Sequence, residues 1–258
     1  MIRLGRISYV NMAPLFWRLD APVEEVPGVP TELNRALLAG EVDLAPISSI
    51  EYARNAERLR ILPRLCVSSE GAVDSIQLVS RAPLGSIASV AVTPESATSV
   101  ALVRVLLPEA EHVSLERADA DAKLLIGDAA LQSMFEDPTP HHDLGRLWRE
   151  RTGLPMVYAV FACGDPPPTE IAVLEDALLA AHEAARANPE ELAREASARY
   201  GYPAGFLARY FEKLRYRFGP RERAGLLTFF ELARDAGELD RVPELRFLAT
   251  EAEAVTAA

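Results

Sequence analysis

The residues of this chain best suited to chemistry are small, polar and uncharged, and they recur where an apolar run gives way to a helical pattern. Ser8-Tyr9-Val10-Asn11 ends the first such run, ahead of Pro14, and Pro46-Ile47-Ser48-Ser49 ends the next, ahead of Glu51-Tyr52. Ser68-Ser69-Glu70-Gly71 ends another and is followed by Asp74-Ser75; Thr93-Pro94-Glu95-Ser96-Ala97-Thr98-Ser99 and Gly127-Asp128 close later ones. In open α/β sheets such junctions lie at the carboxyl ends of the strands, where ligands bind. A helix N-terminus there offers unpaired N–H groups and a partial positive charge to a carboxylate.

Each junction also has a purely architectural reading. Ser, Thr and Asn cap helices, Glu70-Gly71 makes a turn, and Asp128 is a candidate N-cap for the helix after it. Junctions from both halves of the chain facing one cleft favour ligand binding over capping alone. Pattern alone reaches a small, anionic ligand held between two lobes.

Charge and composition narrow the classes. The 258 residues carry a formal net charge of -11, which argues against nucleic acid and against an anionic membrane surface as partners. The same charge repels an anionic ligand at long range, so attraction must come from local N–H groups and hydroxyls. Cys66 and Cys163 form no CxxC pair and read as structural thiols of a reducing compartment. His141-His142-Asp143, the only cluster of potential ligands, lies in a polar, Pro-flanked stretch that reads as solvated, so no metal is expected. Met1-Ile2-Arg3-Leu4-Gly5-Arg6 has arginines but no apolar segment behind them, so the start reads as a first strand rather than a secretory signal, and a cytoplasmic protein is expected. There is no Gly-rich dinucleotide fingerprint, GK[ST] phosphate loop, GxSxG elbow or HExxH pair.

The elements that must hold these junctions alternate as βα units, which predicts an α/β fold with a largely parallel sheet. Strands are expected over 2–10, 41–47, 59–67 and 75–80, with a helix from Thr31, read as its N-cap, to Ala39 before Gly40. After Pro83-Leu84-Gly85-Ser86 a second series begins, with strands at 89–93, 112–115 and 123–126, helices at 98–107 and 129–135, a Pro-rich loop over 137–142, and a strand at 156–162. Beyond Gly164-Asp165-Pro166-Pro167-Pro168 the apolar spacing becomes helical throughout. The chain therefore reads as crossing between two lobes through 76–80 and 156–162. One lobe comprises 1–82 and 160–258 with the C-terminal helices; the other comprises 83–159.

At this point the motifs resemble a known family. Gly5-Arg6-Ile7-Ser8-Tyr9-Val10-Asn11-Met12-Ala13-Pro14-Leu15 is similar to the opening signature of the chorismate dehydratases of the futalosine route to menaquinone. Gly40 to Tyr52, Ser69 to Ile76, Ser96-Ala97-Thr98-Ser99, Leu124 to Leu131, Asp143-Leu144-Gly145 with Trp148, and Thr152-Gly153-Leu154-Pro155 resemble the later ones, so the likeness covers about residues 3–163. A sister family of the same pathway, which forms a naphthoate, opens instead on Ser-Pro-Cys-Pro-Asn-Asp, and Ser8-Tyr9-Val10-Asn11 departs from it.

The resemblance implies a two-lobed, periplasmic-binding-protein-like type II fold with a central ligand cleft. It also implies loss of water from chorismate to give 3-[(1-carboxyvinyl)oxy]benzoate, without cofactor or metal. The expected site comprises Asn11 and Asp128 as catalytic residues, with Ser8, Tyr9, Ser48, Ser49, Ser69, Gly71, Ser96, Thr98, Ser99 and Gly127 binding the substrate. Candidates for the base are Asp128, Glu51 and the substrate's own enolpyruvyl carboxylate, and closure of the lobes over the ligand is expected. The competing readings are a non-catalytic solute-binding or sensing protein of the same fold and the naphthoate-forming sister enzyme. Oligomeric state is not legible.

Overall fold

The structure, a computed structural model, describes residues 1–164, 167 and 170–248. The chain opens with β1 (Ile2–Ile7), a 3-10 turn at Val10–Met12, α1 (Ala13–Phe16), β2 (Val23–Gly28), α2 (Pro30–Ala39), β3 (Leu44–Ser48), α3 (Ser49–Arg54) and β4 (Leu59–Ser69). Next come β5 (Ile76–Ser80), β6 (Ser89–Val92), α4 (Ala97–Leu106), β7 (Glu111–Ser114), β8 (Ala122–Ile126), α5 (Gly127–Glu136), β9 (His141–Asp143) and α6 (Leu144–Thr152). β10 (Met156–Gly164), α7 (Ile171–Ala187), α8 (Pro189–Tyr200), α9 (Ala204–Phe211), β11 (Leu214–Arg217) and α10 (Pro220–Asp235) follow. Most of the punctuation expected at 165–168 falls outside the described residues.

The strands form a six-stranded sheet in the order β11-β4-β10-β3-β1-β2 and a five-stranded sheet in the order β7-β6-β8-β5-β9. β3 is buried along its whole length and β10 along all but its last residue, which explains why both read as unbroken apolar runs. Around β1 and around β6 the pairing is parallel, as the βα alternation predicts. The strands next to the crossings run the other way: β10 is antiparallel to β3 and β4, and β5 is antiparallel to β8 and β9. A strand arriving from the other sheet enters against the local direction, which a βα pattern does not encode.

Several sequence expectations are corrected. Ile76–Ser80 is not itself a crossing: β5 pairs along its length inside the five-stranded sheet, so the chain passes between sheets within 70–75. β2 escapes the sequence reading because Val23-Glu24-Glu25-Val26-Pro27-Gly28 is acidic and contains a proline; it is an edge strand, where a missing N–H is tolerated. The N-cap of α2 is Val29, with Pro30 in the first turn, rather than Thr31. His141-His142-Asp143 pairs with β5 as β9 instead of forming a solvated loop. β11 interrupts the helical C-terminal part and closes the edge beside β4.

The crossing at 70–75 is fixed by one carboxylate. Asp143 caps α6 by accepting from the Arg146 N–H at 3.0 Å, and it also accepts from the N–H groups of Val73 and Asp74 at 3.0 and 2.7 Å and from the Gln77 amide at 2.8 Å. Burial raises its pKa, and the backbone donors pull the other way. Asp74 sits there at φ +60°, a conformation Asp tolerates better than most residues, and its carboxylate pairs with Lys213 at 2.6 Å. The second crossing, at 153–155, is covered by α10. The buried Trp148 indole donates to the Pro155 carbonyl at 3.1 Å and meets Phe229 edge-on, and a Cβ on Gly225 would stand 2.1 Å from that same carbonyl oxygen.

Two outcomes follow from this packing. Asp143→Ala strands several buried N–H donors and lowers unfolding stability by roughly 2–4 kcal/mol, read from urea denaturation; an unchanged midpoint would deny Asp143 this role. His182, on α7, is buried with its pKa held down to about 4 from an ordinary value of 6.5, chiefly by desolvation. Between those values the unfolded chain takes up a proton that the folded imidazole refuses. Stability therefore falls as pH drops from about 6.5 towards about 4. The difference in Tm between pH 7 and pH 5 is smaller in His182→Phe than in the parent.

Candidate active site

Where the two sheets face each other, residues from both enclose a cavity of about 60 Å³. Its walls come from the end of β1 and the turn after it (Ile7, Tyr9, Asn11), the end of β3 (Ser48), the crossing (Val73, Ser75) and β10 (Tyr158, Ala159). From the second sheet come Ser96 and Ser99 at the start of α4 and Ile126-Gly127 at the start of α5. Among the described lining residues there is no carboxylate, amine, guanidinium or imidazole.

The polar atoms are arranged by hydrogen bonds that fix where each proton goes. Ser48 Oγ accepts from the Asn34 amide nitrogen at 3.2 Å while the Ser48 N–H donates to Asn34 Oδ1 at 2.9 Å. Ser48 Oγ donates no hydrogen bond among the described residues, so its own proton remains to be donated. Ser96 Oγ accepts from the Ser99 N–H at 3.2 Å, capping α4, and donates to Ser99 Oγ at 2.9 Å, which leaves the Ser99 proton to be given away as well. Ser69 Oγ donates to the Gly71 carbonyl at 2.7 Å, so in its 2.9 Å contact with the Tyr158 hydroxyl it is the acceptor and Tyr158 the donor. Tyr9 donates to Glu95 at 2.7 Å. Burial pushes both phenols well up, so both stay protonated, with lone pairs rather than protons to spare.

Asn11 stands apart. It lines the cavity, and its Oδ1 is buried with no hydrogen-bond partner, which costs about 1–3 kcal/mol if nothing ever fills it. Its backbone is held from two directions. The Asn11 carbonyl accepts from the Tyr216 hydroxyl of β11, and the Val10 N–H donates to Asp128 Oδ1 at 3.0 Å.

Sequence reasoning placed Tyr9, Asn11, Ser48, Ser96, Ser99 and Gly127 in the site, and all six line the cavity. Gly127 is required on two counts: φ is +56°, and a Cβ would lie 2.6 Å from the Tyr9 ring. Ser69, Thr98 and Ser49 lie outside the cavity lining, with Ser69 bonded to Tyr158, Thr98 Oγ1 accepting from the Ile50 N–H at 3.3 Å, and Ser49 donating to the Val157 carbonyl at 2.8 Å. Gly71 offers its carbonyl to Ser69, and Ser8 is exposed, bonded to Gly28. Asp128 lies in the first turn of α5 rather than at its cap, off the lining. Burial raises its pKa, and its carboxylate accepts from Val10. Glu51 is turned to an ion pair with Arg54 at 2.6 Å. Ser75, in the lining, and Glu95, behind it, stand in the junctions read from sequence but were not assigned to the site. Sequence reasoning missed Tyr158 in the lining and Asn34 and Tyr216 behind it, and a tyrosine within the apolar run 156–162 was the one signal available for Tyr158.

A two-sheet α/β architecture with a cavity between the sheets is that of the periplasmic binding proteins. The structure superimposes on the periplasmic aliphatic sulphonate binding protein SsuA of Escherichia coli with a TM-score of 0.67 at 14% identity, covering 96% of this chain and 92% of that one. A protein of Archaeoglobus fulgidus gives 0.76 at 21% identity, covering 92% and 97%. In sequence, a family model described as "Menaquinone biosynthesis" matches residues 2–235. A chorismate dehydratase of Thermus thermophilus is 38% identical over 257 residues, covering 88% of this chain and 93% of the relative. One from Campylobacter jejuni is 36% identical over 168 residues, 62% of this chain and 66% of the relative. The chain belongs to the menaquinone-biosynthesis family, among the chorismate dehydratases.

Tyr9–Glu95 and Val10–Asp128 both join the first sheet's β1 end to the second sheet's helix starts, so they hold the cleft shut. Tyr9→Phe removes one of them. Amide hydrogen exchange in peptides covering 8–12 and 93–99 should rise about fivefold, the equivalent of roughly 1 kcal/mol, while β4 and β10 are unaffected. Unchanged exchange at 93–99 would mean that this bond contributes nothing to closure.

Proposed function

We propose that this chain removes water from chorismate to give 3-[(1-carboxyvinyl)oxy]benzoate, a hydro-lyase step of menaquinone biosynthesis in the cytoplasm. Membership of the family supports the reaction. The observation that carries the site is the uncharged lining, in which Asn11 holds an unpartnered buried acceptor. The substrate brings two carboxylates. Ser48 and Ser99 donate to one of them, aided by the partial positive charge at the start of α4. As the C3 proton leaves, charge spreads through the C1–C2 double bond onto the ring carboxylate, and donors aimed there lower the barrier as an oxyanion hole does.

What surrounds the cavity supports the substrate's own carboxylate as the base. With no carboxylate or imidazole in the described lining, Glu51 paired to Arg54 and Asp128 off the lining with Oδ1 turned to the Val10 N–H, the enolpyruvyl carboxylate of the substrate is the group supplied with lone pairs and reach. It takes the C3 proton; the electron pair of the C–H bond becomes the new ring double bond, the C4–O bond breaks, and the proton departs with the hydroxide as water. Asn11 Oδ1 accepts from the C4 hydroxyl and orients it for departure. Asp128 serves the reaction by holding the turn that carries Asn11, while Ser69 and Thr98 orient the groups that line the cavity. A pocket for a ligand of this size needs roughly 300 Å³ or more, so the lobes part to admit chorismate and close around it on a wider cavity than the one seen here.

Mixing the protein with chorismate should produce a new aromatic absorbance, and Asn11→Ala should lower turnover roughly a hundred- to a thousandfold with its Tm within a few degrees of the parent. A thermal shift by chorismate without product would make the chain a binding protein. Near-normal turnover in a folded Asn11→Ala protein would remove Asn11 from the chemistry.

A further inference from the structure

We propose that Tyr216, which lies outside the cavity lining, is a positioning residue for the elimination: its hydroxyl sets the geometry of Asn11. The inference rests on the dehydratase reading and adds to it a residue contributed by β11, within the part of the chain whose sequence reads as helical. The phenol is fully buried, and its O–H donates to the Asn11 carbonyl, a contact spanning 205 residues of sequence. The ring is held in turn: it meets the His182 imidazole edge-on at 4.9 Å, and β11 is fixed by pairing to β4. Desolvation pushes the Tyr216 pKa far up, so the hydroxyl remains a donor at every working pH.

Asn11 lies in a single 3-10 turn, Val10–Met12, whose cap residue Tyr9 makes no side-chain capping bond. Such a turn has few bonds of its own to hold it. Its peptide groups are fixed instead by two partners on other elements, Asp128 on the Val10 N–H and Tyr216 on the Asn11 carbonyl. Removing the Tyr216 donor leaves that carbonyl buried without its partner, and the peptide plane turns to find another. The side-chain amide on the same residue turns with it. A displacement of about 1 Å in a group that acts in the transition state costs on the order of a hundredfold in rate, whereas ground-state contacts made by Ser48 and Ser99 are untouched.

Tyr216→Phe keeps the ring, its packing on His182 and the β11 register, and deletes one oxygen. Expected is a fall in kcat of tenfold or more on chorismate with KM within threefold of the parent. Phe229→Leu, in α10 and away from the cavity, supplies a control that lowers Tm comparably without lowering kcat at 25 °C. The deciding measurement is the double variant. If Tyr216 acts through Asn11, the Tyr216→Phe penalty largely disappears when measured in Asn11→Ala. Equal penalties in both backgrounds, or a Tyr216→Phe protein with kcat within twofold of the parent, would overturn the proposal. Failure of the underlying reading looks different: the parent protein would then give no aromatic product from chorismate at all.

Discussion

The cleft exists because two short crossings hold two sheets face to face, and the bonds around Asp143 set how they meet. Its buried carboxylate gathers donors from the crossing at Val73 and Asp74, from β5 through Gln77 and from α6 through Arg146. A single acidic group thereby sets the direction in which the chain leaves β4 and enters β5. The ends of β1, β3 and β10 are then brought opposite the starts of α4 and α5. With the Lys213–Asp74 pair on one side and α10 packed over Pro155 on the other, the sheets have little freedom except to part along the cleft.

On the proposed reading, that constraint lets an acidic protein hold an anion. At -11 overall, the chain has an unfavourable long-range field for a dicarboxylate, and a lining carboxylate would add to it. The cavity answers with hydroxyl protons whose other bonds are already committed: Asn34 supplies Ser48 with a donor, Ser96 supplies Ser99 with one, and Tyr158 and Tyr9 spend their protons elsewhere. Fixed neutral donors need no reorganisation as charge develops, and the low dielectric of a closed cleft strengthens them. On the proposed reading, a cleft built in this way stabilises charge well and, with no carboxylate or imidazole among the described lining residues, leaves the proton to the substrate.

Much of this was legible in the chain. The βα alternation, the parallel pairing around β1 and β6, and the junctions at 8–11, 46–49, 93–99 and 127–128 all depend on local spacing, which sequence carries directly. The misreadings share a different cause. Ser69, Thr98 and Ser49 have the same residue types and junction positions as Ser48 and Ser99, and only three-dimensional packing separates those that face the cavity from those bonded behind it. β2 and β9 are strands because a neighbour's edge needed pairing, against their own polar composition. β5 and β10 run antiparallel because of where the chain came from.

The sequence by itself therefore determined the fold class, the family and six residues that line the cavity where strands give way to helices: Tyr9, Asn11, Ser48, Ser96, Ser99 and Gly127. Helix starts and periodicity are short-range properties, and the motifs that carry the family likeness are contiguous. Tertiary structure alone decided which hydroxyl protons remain free, that Asp128 accepts from the Val10 backbone, and that Tyr158 joins the cavity lining with Asn34 and Tyr216 bonded behind it. Those assignments depend on contacts between residues up to about two hundred positions apart, such as Tyr216 with Asn11, and packing of the whole chain brings them together.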